Sequence, residues 1–222
     1  YKFQKESDFL FLNQDMNPEY LAEFQNEAIA QKIYSSKEDV GNYQTNLIGE
    51  HNLENIAIAR VIALEIGIDE ETIQKAVANF QAIEFRLEKV REINDISFIN
   101  DSASTAPVAA IKALNSFNQK VFLIAGGASK DLDLKGLAQT IKEKAQKVAL
   151  LEGSDTPKLK ELLDDNLVLG VFKDLESAVQ ILYKQAQAGD IILLSPGSAS
   201  FGMFQNEFDR GEQFNQIVNN LK

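Results

Sequence analysis

The spacing of hydrophobic positions becomes regular after residue 88. From there, short apolar runs rich in β-branched residues alternate with longer amphipathic segments, which predicts a mostly parallel sheet covered by helices on both faces. The predicted strands are 88–93, 96–100, 121–125, 148–151, 168–172 and 191–194. The predicted helices are 108–116, 134–144, 155–163, 175–188 and 204–221. We therefore expect residues 88–222 to form a Rossmann-like α/β domain, in which the first two strands could form a hairpin at Asn94-Asp95.

The first 82 residues have a less regular pattern. Residues 8–12 predict a strand, and residues 33–34 and 47–48 predict two shorter ones. Helical spacing covers three further segments, namely 20–30, 52–66 and 69–80. We expect Asn52 to cap the second helix and Gly67 to end it. Residues 1–82 are interpreted as part of a separate α/β domain, and residues 83–87 as a linker.

Composition and charge exclude several classes of function. A formal net charge of −11 argues against a nucleic-acid partner, whose binding surface would normally be basic. The absence of cysteine excludes disulfides and thiolate metal sites, and His51, the only histidine, cannot form a His-based metal cluster. No apolar run approaches the about 20 residues that cross a bilayer. We expect a cytoplasmic protein that binds small molecules, with no nucleic-acid or membrane partner.

Polar loops follow the predicted strands. Residues 101–105, 126–130, 152–155 and 195–200 supply small residues, hydroxyls, acids and the cation Lys130. In a doubly wound fold these loops meet at the carboxyl edge of the sheet, where ligands bind. Pro107 suits the first turn of the following helix, whose N-terminus favours anionic or phosphorylated ligands. The sequence therefore predicts a ligand site at this edge.

Each of these features also has an ordinary explanation. Neither a complete P-loop nor a G-x-G-x-x-G motif occurs, and Gly126-Gly127 fits a tight turn as well as a close approach to a ligand. Lys130 could be a solvated lysine or could pair with a carboxylate. Asp101 could cap a helix, and Ser195 could merely end a strand.

The order of the motifs resembles the D-glutamate-adding branch of the Mur ligase family. The shared segments are 49–55, 85–88, 100–105, 126–130, 193–201, 204–206 and 210–211. The resemblance implies an ATP-dependent ligase of peptidoglycan synthesis that joins D-glutamate to UDP-N-acetylmuramoyl-L-alanine through an acyl phosphate. It implies that residues 1–82 are the end of a central ATPase domain and that residues 88–222 are the C-terminal domain. It also implies ATP and Mg²⁺ as cofactors and a monomeric enzyme.

The same resemblance assigns roles to individual residues. By their positions in the motifs, the nucleotide contacts are Asn55, Arg86, Asp101 and Thr105. The D-glutamate contacts are Thr105, Lys130, Ser200 and Phe201, with Lys130 pairing with a substrate carboxylate. Three residues depart from the family pattern, namely Phe85 in place of a histidine, Ala103 in place of a lysine and Glu207 in place of an aromatic residue. The catalytic residues, including a modified lysine, are expected upstream of Tyr1.

The family's UDP-binding domain, P-loop and magnesium ligands have no counterpart in the sequence. We therefore expect this chain alone to lack ligase activity, and residues 1–82 to expose sheet edges that favour self-association. Two alternatives stay open, a stand-alone nucleotide- or amino-acid-binding module and a folylpolyglutamate-type ligase. The motifs at residues 100–105 and 193–196 favour the cell-wall ligase over the second.

Overall fold

The computed structural model describes residues 3–222, which form two compact units that divide between Gln81 and Ala82. Within residues 3–222, no helix is long and apolar enough to span a membrane.

The first unit combines a small parallel sheet with three α-helices. Strands β1 (Phe9–Asn13) and β2 (Gln31–Ser35) pair in parallel, and helix α1 (Pro18–Glu27) connects them. A short 3-10 helix (Lys37–Val40) leads to helices α2 (Glu50–Glu65) and α3 (Glu70–Asn79). Its small core contains the following residues: Val40, Ile56 and Ala57, with Tyr43, Leu47, Leu53 and Val77 packed around them.

Two predictions for this unit are wrong. Residues 47–48 form no strand, because Leu47 packs against the core cluster instead of pairing with a neighbouring strand. Helix α2 begins at Glu50, so its N-cap is Gly49, and the Asn52 side chain donates to the Ile48 carbonyl at 2.9 Å. The predicted end of α2 is confirmed.

Gly67 ends α2 because it adopts a left-handed conformation. Its φ is 88°, and its N–H donates to the Leu64 carbonyl at 3.0 Å. The Ile68 N–H donates to the Ala63 carbonyl at 3.0 Å. These two bonds form a Schellman motif, which satisfies carbonyls that the helix itself leaves unpaired.

The second unit is built on a six-stranded sheet. Its strands are β3 (Glu88–Ile93), β4 (Ile96–Asn100), β5 (Val121–Ala125), β6 (Ala145–Leu151), β7 (Val168–Phe172) and β8 (Ile191–Leu194). Their order in the sheet is β3-β4-β8-β5-β6-β7, and every pair is parallel except β3 with β4. That antiparallel pair confirms the hairpin, in which Asn94 and Asp95 have φ of 53° and 61°, as a two-residue primed turn requires.

Helices cover the sheet, and the predicted α/β fold class is confirmed. They are α4 (Pro107–Asn115), α5 (Lys135–Lys144), α6 (Thr156–Leu162), α7 (Leu175–Tyr183) and α8 (Glu207–Asn220). Helix α4 packs against α5, while α7 packs against α8. The core between the sheet and α7 and α8 contains these side chains: Phe98, Phe122, Ile124, Ile192, Leu194, Val179, Leu182, Phe214 and Val218.

The strand order determines where ligand-binding loops can meet. Strands β4 and β5 both flank β8, although β8 is the last strand in the chain. The loops that follow these three strands therefore leave the sheet side by side, at the point where the strand order reverses.

Candidate functional site

Four loops form the carboxyl edge of this sheet. We name them by the preceding strand: the β4 loop (residues 101–105), the β5 loop (126–130), the β6 loop (152–155) and the β8 loop (195–200). The Gly197 N–H donates to the Ser104 carbonyl at 2.9 Å, which joins the β8 and β4 loops. Ala128 and Ala199 exchange two backbone hydrogen bonds of 2.8 and 3.0 Å, which join the β5 and β8 loops. The Asp155 N–H donates to the Gly127 carbonyl at 3.0 Å, which joins the β6 loop to the β5 loop, so the structure brings the four predicted loops together.

The double glycine of the β5 loop allows this close approach. A Cβ on Gly127 would lie 2.4 Å from the Ala199 carbonyl oxygen, and one on Gly153 would lie 2.1 Å from the Gly127 carbonyl carbon. Gly127 also has a φ of 142°, which side chains rarely adopt. These glycines are therefore explained by backbone contacts between neighbouring loops.

Asp101 is the first residue of the β4 loop and is 7% exposed. Its Oδ2 accepts from the Ser195 hydroxyl at 2.7 Å, and its Oδ1 accepts from the Leu87 N–H at 3.3 Å. Burial raises the pKa of Asp101 to about 6, although the hydrogen bonds from Ser195, Ser104 and Leu87 oppose this rise. Asp101 does not cap helix α4, whose N-cap is Ala106.

Ser195 has a role that its position in the sequence did not reveal. Its position just after β8 fits a residue that merely ends a strand, yet its hydroxyl donates to the buried Asp101 carboxylate. The two residues are 94 positions apart in the chain. Only the placement of β8 beside β4 brings them together.

Lys130 and Thr105, both predicted to bind D-glutamate, are in direct contact. The Lys130 Nζ donates to the Thr105 Oγ1 at 2.8 Å, and Lys130 is exposed. Within residues 3–222, no carboxylate lies at ion-pair distance from Lys130. Because an ammonium group has three N–H donors, this lysine can still bind an anionic ligand.

The remaining predicted residues differ in their surroundings. Ser200 ends the β8 loop and is 4% exposed, whereas the adjacent Phe201 is 65% exposed. Arg86 is exposed, in a turn whose Phe85 carbonyl accepts from the N–H of Ala103 in the β4 loop at 3.0 Å.

Asn55 is the one predicted site residue that belongs to the first unit. It lies on α2, is exposed, and donates to the Asn52 Oδ1 at 3.4 Å. Its assignment to the nucleotide stays a prediction from the resemblance.

Two of the residues that depart from the family pattern, Phe85 and Glu207, contact neighbouring parts of the second unit. Phe85 is buried with a φ of 64°, and its ring lies against Phe208 with 6.2 Å between the centroids. A Cβ on Gly211 would lie 2.4 Å from the Phe85 ring, so this glycine makes room for the aromatic side chain. The Glu207 carbonyl accepts from the Ser102 hydroxyl at 2.7 Å.

Two buried charged residues were not among the predicted site residues: Arg210, on α8 behind the loops, and Asp155, the last residue of the predicted β6 loop. Arg210 on α8 is fully buried, and its guanidinium contacts the β4 and β8 loops. Asp155 is 3% exposed and accepts from the Ser198 hydroxyl at 3.3 Å, whereas its Oδ1 has no hydrogen-bond partner. Arg210 falls in a motif shared with the Mur ligases, which was the available signal.

The described side chains do not provide a metal centre of their own. Among residues 3–222, no three His, Asp or Glu side chains converge as metal ligands. We therefore assign no residue of this chain to Mg²⁺. The exposed guanidinium of Arg86 and the carboxylate of Asp101 are groups that can contact phosphate and hydroxyl oxygens, and their assignment to a nucleotide stays a prediction.

The fold and the loops define a class of protein. The second unit is a doubly wound α/β domain whose switch-point loops present a lysine, hydroxyl groups and a buried carboxylate, and this is the edge where ligands bind in such folds. Comparison with known families identifies the class further. Residues 85–197 match the model described as Mur ligase, glutamate ligase domain, and the chain belongs to the Mur ligase family.

Curated relatives agree with this family. The chain is 48% identical, over 176 residues, to the UDP-N-acetylmuramoylalanine–D-glutamate ligase of Roseiflexus sp. (strain RS-1), covering 78% of this chain and 38% of the relative. It is 33% identical to the enzyme of the same name from Acetivibrio thermocellus, covering 100% of this chain and 54% of the relative. The chain thus spans about 38 to 54% of the length of these relatives.

Solved structures share the fold at low sequence identity. The MurF ligase from Thermotoga maritima in complex with ADP superimposes with a TM-score of 0.67 at 15% identity, over 97% of this chain and 55% of that one. The Mycobacterium tuberculosis folylpolyglutamate synthase complexed with ADP gives a TM-score of 0.64 at 16% identity, over 91% and 52% of the two chains. The fold is therefore common to ligases of different names.

Proposed function

We propose that this chain is the amino-acid-binding part of an ATP-dependent ligase that adds D-glutamate to UDP-N-acetylmuramoyl-L-alanine in peptidoglycan synthesis. The names of the sequence relatives support the reaction, and the match to a glutamate ligase domain supports the role of the second unit. Because the chain spans about half or less of these relatives, the complete reaction is proposed for the whole protein. A cytoplasmic location and a monomeric state are part of this proposal.

The observation that carries the proposal is the contact between Lys130 and Thr105. Their 2.8 Å hydrogen bond places an exposed ammonium group and a hydroxyl group at one point of the loop edge. Glutamate has two carboxylates, and a lysine with a neighbouring hydroxyl is a suitable partner for one of them. Ser200, on the adjacent β8 loop, is proposed to bind the second carboxylate, with Phe201 beside it.

The nucleotide is proposed to contact other groups. The Arg86 guanidinium suits a phosphate, and Asp101 suits a ribose hydroxyl, because each carboxylate oxygen can accept more than one hydrogen bond. Thr105 and Asn55 complete the nucleotide contacts that the resemblance assigns. ATP, when bound, supplies the phosphoryl group that activates the substrate carboxylate, whereas the residues of this chain hold and orient the incoming amine.

Fold similarity does not separate this proposal from a folylpolyglutamate-type ligase. The two neighbours described above have TM-scores of 0.67 and 0.64, which are nearly equal. The curated relatives favour the cell-wall reaction, since those at 48% and 33% identity are D-glutamate ligases. A stand-alone binding module would share the ligand contacts, so the isomer of glutamate that binds is the informative measurement.

The test is a titration of the 222-residue chain with D-glutamate and with L-glutamate, followed by amide NMR shifts. We expect D-glutamate to shift the signals of Thr105, Lys130 and Ser200 selectively. Replacing Lys130 with alanine should weaken this binding by about tenfold or more, because a hydrogen bond to a charged group is lost. Lys120, an exposed lysine just before β5 at the opposite edge of the sheet, provides the control Lys120→Ala.

Three results would contradict the proposal. The first is an equal response to both isomers, and the second is D-glutamate binding that Lys130→Ala and Lys120→Ala leave equally unchanged. A complete lack of binding by the wild-type chain at millimolar ligand would also count against it.

A further inference from the structure

Arg210 is a fully buried arginine whose hydrogen bonds reach the loops of the candidate site. Its Nε donates to the Ser102 Oγ at 2.9 Å, and its Nη2 donates to the Ser102 carbonyl at 2.8 Å. Its Nη1 donates to the Ser198 carbonyl at 3.3 Å. One planar group on α8 therefore contacts both the β4 loop and the β8 loop.

Burying the charged side chain of Arg210 is unfavourable, so its burial needs a reason. Burial lowers the pKa of Arg210 to about 10, against the opposing charges of Glu207 and Asp101. Within residues 3–222, no carboxylate lies at ion-pair distance from the guanidinium, so carbonyl and hydroxyl dipoles stabilise its charge. Buried charges of this kind stabilise a protein little, although some of them fix one particular geometry.

The positions of Ser102 and Ser198 indicate that the geometry fixed by Arg210 is the separation of the β4 and β8 loops. Ser102 lies between Asp101 and Thr105 in the β4 loop, and Ser198 lies two residues before Ser200 in the β8 loop. The guanidinium fork is rigid, so its three bonds fix the separation of these two loops.

Both serines are also held by other contacts. The Ser102 hydroxyl donates to the Glu207 carbonyl at 2.7 Å while it accepts from Arg210. The Ser198 hydroxyl donates to the Asp155 Oδ2 at 3.3 Å, and its carbonyl accepts from Arg210. The guanidinium therefore connects two fixed points.

We propose that Arg210 is a positioning residue that sets the distance between Thr105 and Ser200, so that an amino acid with two carboxylates is held at both ends. This inference rests on the proposed function and adds a residue that would determine specificity for a dicarboxylic substrate. Arg210 does not touch the ligand. It acts through the backbone of the two loops.

The test compares Arg210→Lys with Arg91→Lys in the 222-residue chain. Lysine keeps the charge of Arg210 but loses the fork that reaches both loops. Arg91 is a matched control, because it also donates to α8 carbonyls, those of Val218 at 3.4 Å and Asn219 at 2.9 Å, and it lies on β3.

Two quantities are measured. The first is hydrogen exchange of the Gly197 N–H, whose bond to the Ser104 carbonyl joins the loops and needs no ligand. The second is the dissociation constant of D-glutamate, with D-norvaline as a probe of similar length that has one carboxylate. We expect Arg210→Lys to speed the exchange of the Gly197 N–H about tenfold, because hydrogen bonds to a charged group are lost. For the same reason, D-glutamate binding should weaken by about tenfold. D-norvaline binding should weaken by less than about twofold.

The outcomes separate the two proposals. If the wild-type chain binds no D-glutamate, the proposed function fails, and Gly197 exchange still tests whether Arg210 holds the loops. If Arg210→Lys changes exchange and D-glutamate binding by less than twofold, or if it weakens both ligands equally, the positioning role is refuted. Should Arg210→Lys fail to fold, Ser102→Ala is the second variant: it removes the hydroxyl that bonds the Arg210 Nε and the Glu207 carbonyl, and it keeps the Ser102 carbonyl. Unchanged Gly197 exchange in that variant would also refute the positioning role.

Discussion

Replacing Asp101 with asparagine isolates the cost of burying a carboxylate at the candidate site. Asparagine has the same shape and can still accept from the Leu87 N–H, while its amide can donate to the Ser195 hydroxyl oxygen. The substitution therefore removes the charge and keeps most of the contacts. We expect Asp101→Asn to make the second unit more stable at neutral pH.

The magnitude follows from the pKa of Asp101. Burial raises this pKa from 3.8 to about 6, so the folded chain holds its proton more tightly than the unfolded chain. A shift of one pKa unit corresponds to about 1.4 kcal/mol, so the ionised form of Asp101 destabilises the folded state by about 3 kcal/mol. The wild type has its full stability from this group below pH 3.8 and loses it as the pH rises through about 6.

The assay is urea unfolding of the wild type and of Asp101→Asn at several values between about pH 4 and about pH 8, a range that includes the titration of the group. Amide NMR signals of residues 82–222 report on this unit alone, which matters because the chain has two units. We expect the two proteins to be similar at low pH, and the variant to gain up to about 3 kcal/mol by neutral pH.

Asp209 provides a control with the opposite sign. Hydrogen bonds from Gln213 and from the Gln205 N–H lower its pKa, so Asp209→Asn should lose stability relative to the wild type as the pH rises. A difference between wild type and Asp101→Asn that does not change with pH would refute the reasoning. A wild type that becomes more stable relative to Asp101→Asn as the pH rises would refute it as well.

Further predictions concern a loop contact and an ion pair. Gly127→Ala should destabilise the second unit by about 2 kcal/mol or more, because its Cβ would lie 2.4 Å from the Ala199 carbonyl oxygen. At Gly67 a Cβ would meet nothing within 4 Å, so Gly67→Ala should lower the free energy of unfolding by only about 1 kcal/mol. If urea unfolding gave equal losses for Gly127→Ala and Gly67→Ala, the contact between Gly127 and Ala199 would not explain the loss. In the first unit, the Arg60 Nε donates to Glu70 at 2.9 Å and lowers the pKa of this carboxyl, so the pair stabilises above pH 4.5 and its contribution is lost as the pH falls. Glu70→Gln should therefore flatten the acid side of the unit's stability profile, and an unchanged profile would count against the ion pair.

Local sequence patterns were sufficient for the elements of the second unit. The apolar run of β5 is fully buried, and Pro107 begins α4 as predicted, because both signals depend on neighbouring residues alone. The proximity of the loops that contain Lys130 and Thr105 could also be anticipated, because the carboxyl ends of parallel strands meet at one edge of the sheet. Their role in binding D-glutamate stays a prediction.

The same patterns were insufficient where a residue serves the tertiary structure. Leu47 is apolar in a short run, and only its packing against the small core distinguishes it from a strand residue. Asn52 has the chemistry of an N-cap, yet Gly49 occupies the N-cap position, with a φ of 100° that leads into α2 at Glu50.

By itself, the sequence determined the α/β class, the family resemblance and the loops on which a ligand could bind, since these depend on periodicity and on contiguous motifs. Only the tertiary structure decided that Ser195 holds Asp101 across 94 positions and that Arg210 reaches Ser102 across 108. The first contact requires β8 to lie beside β4, and the strand order of the sheet places it there. A local pattern cannot encode that order, because it arises from how the whole sheet buries its apolar faces.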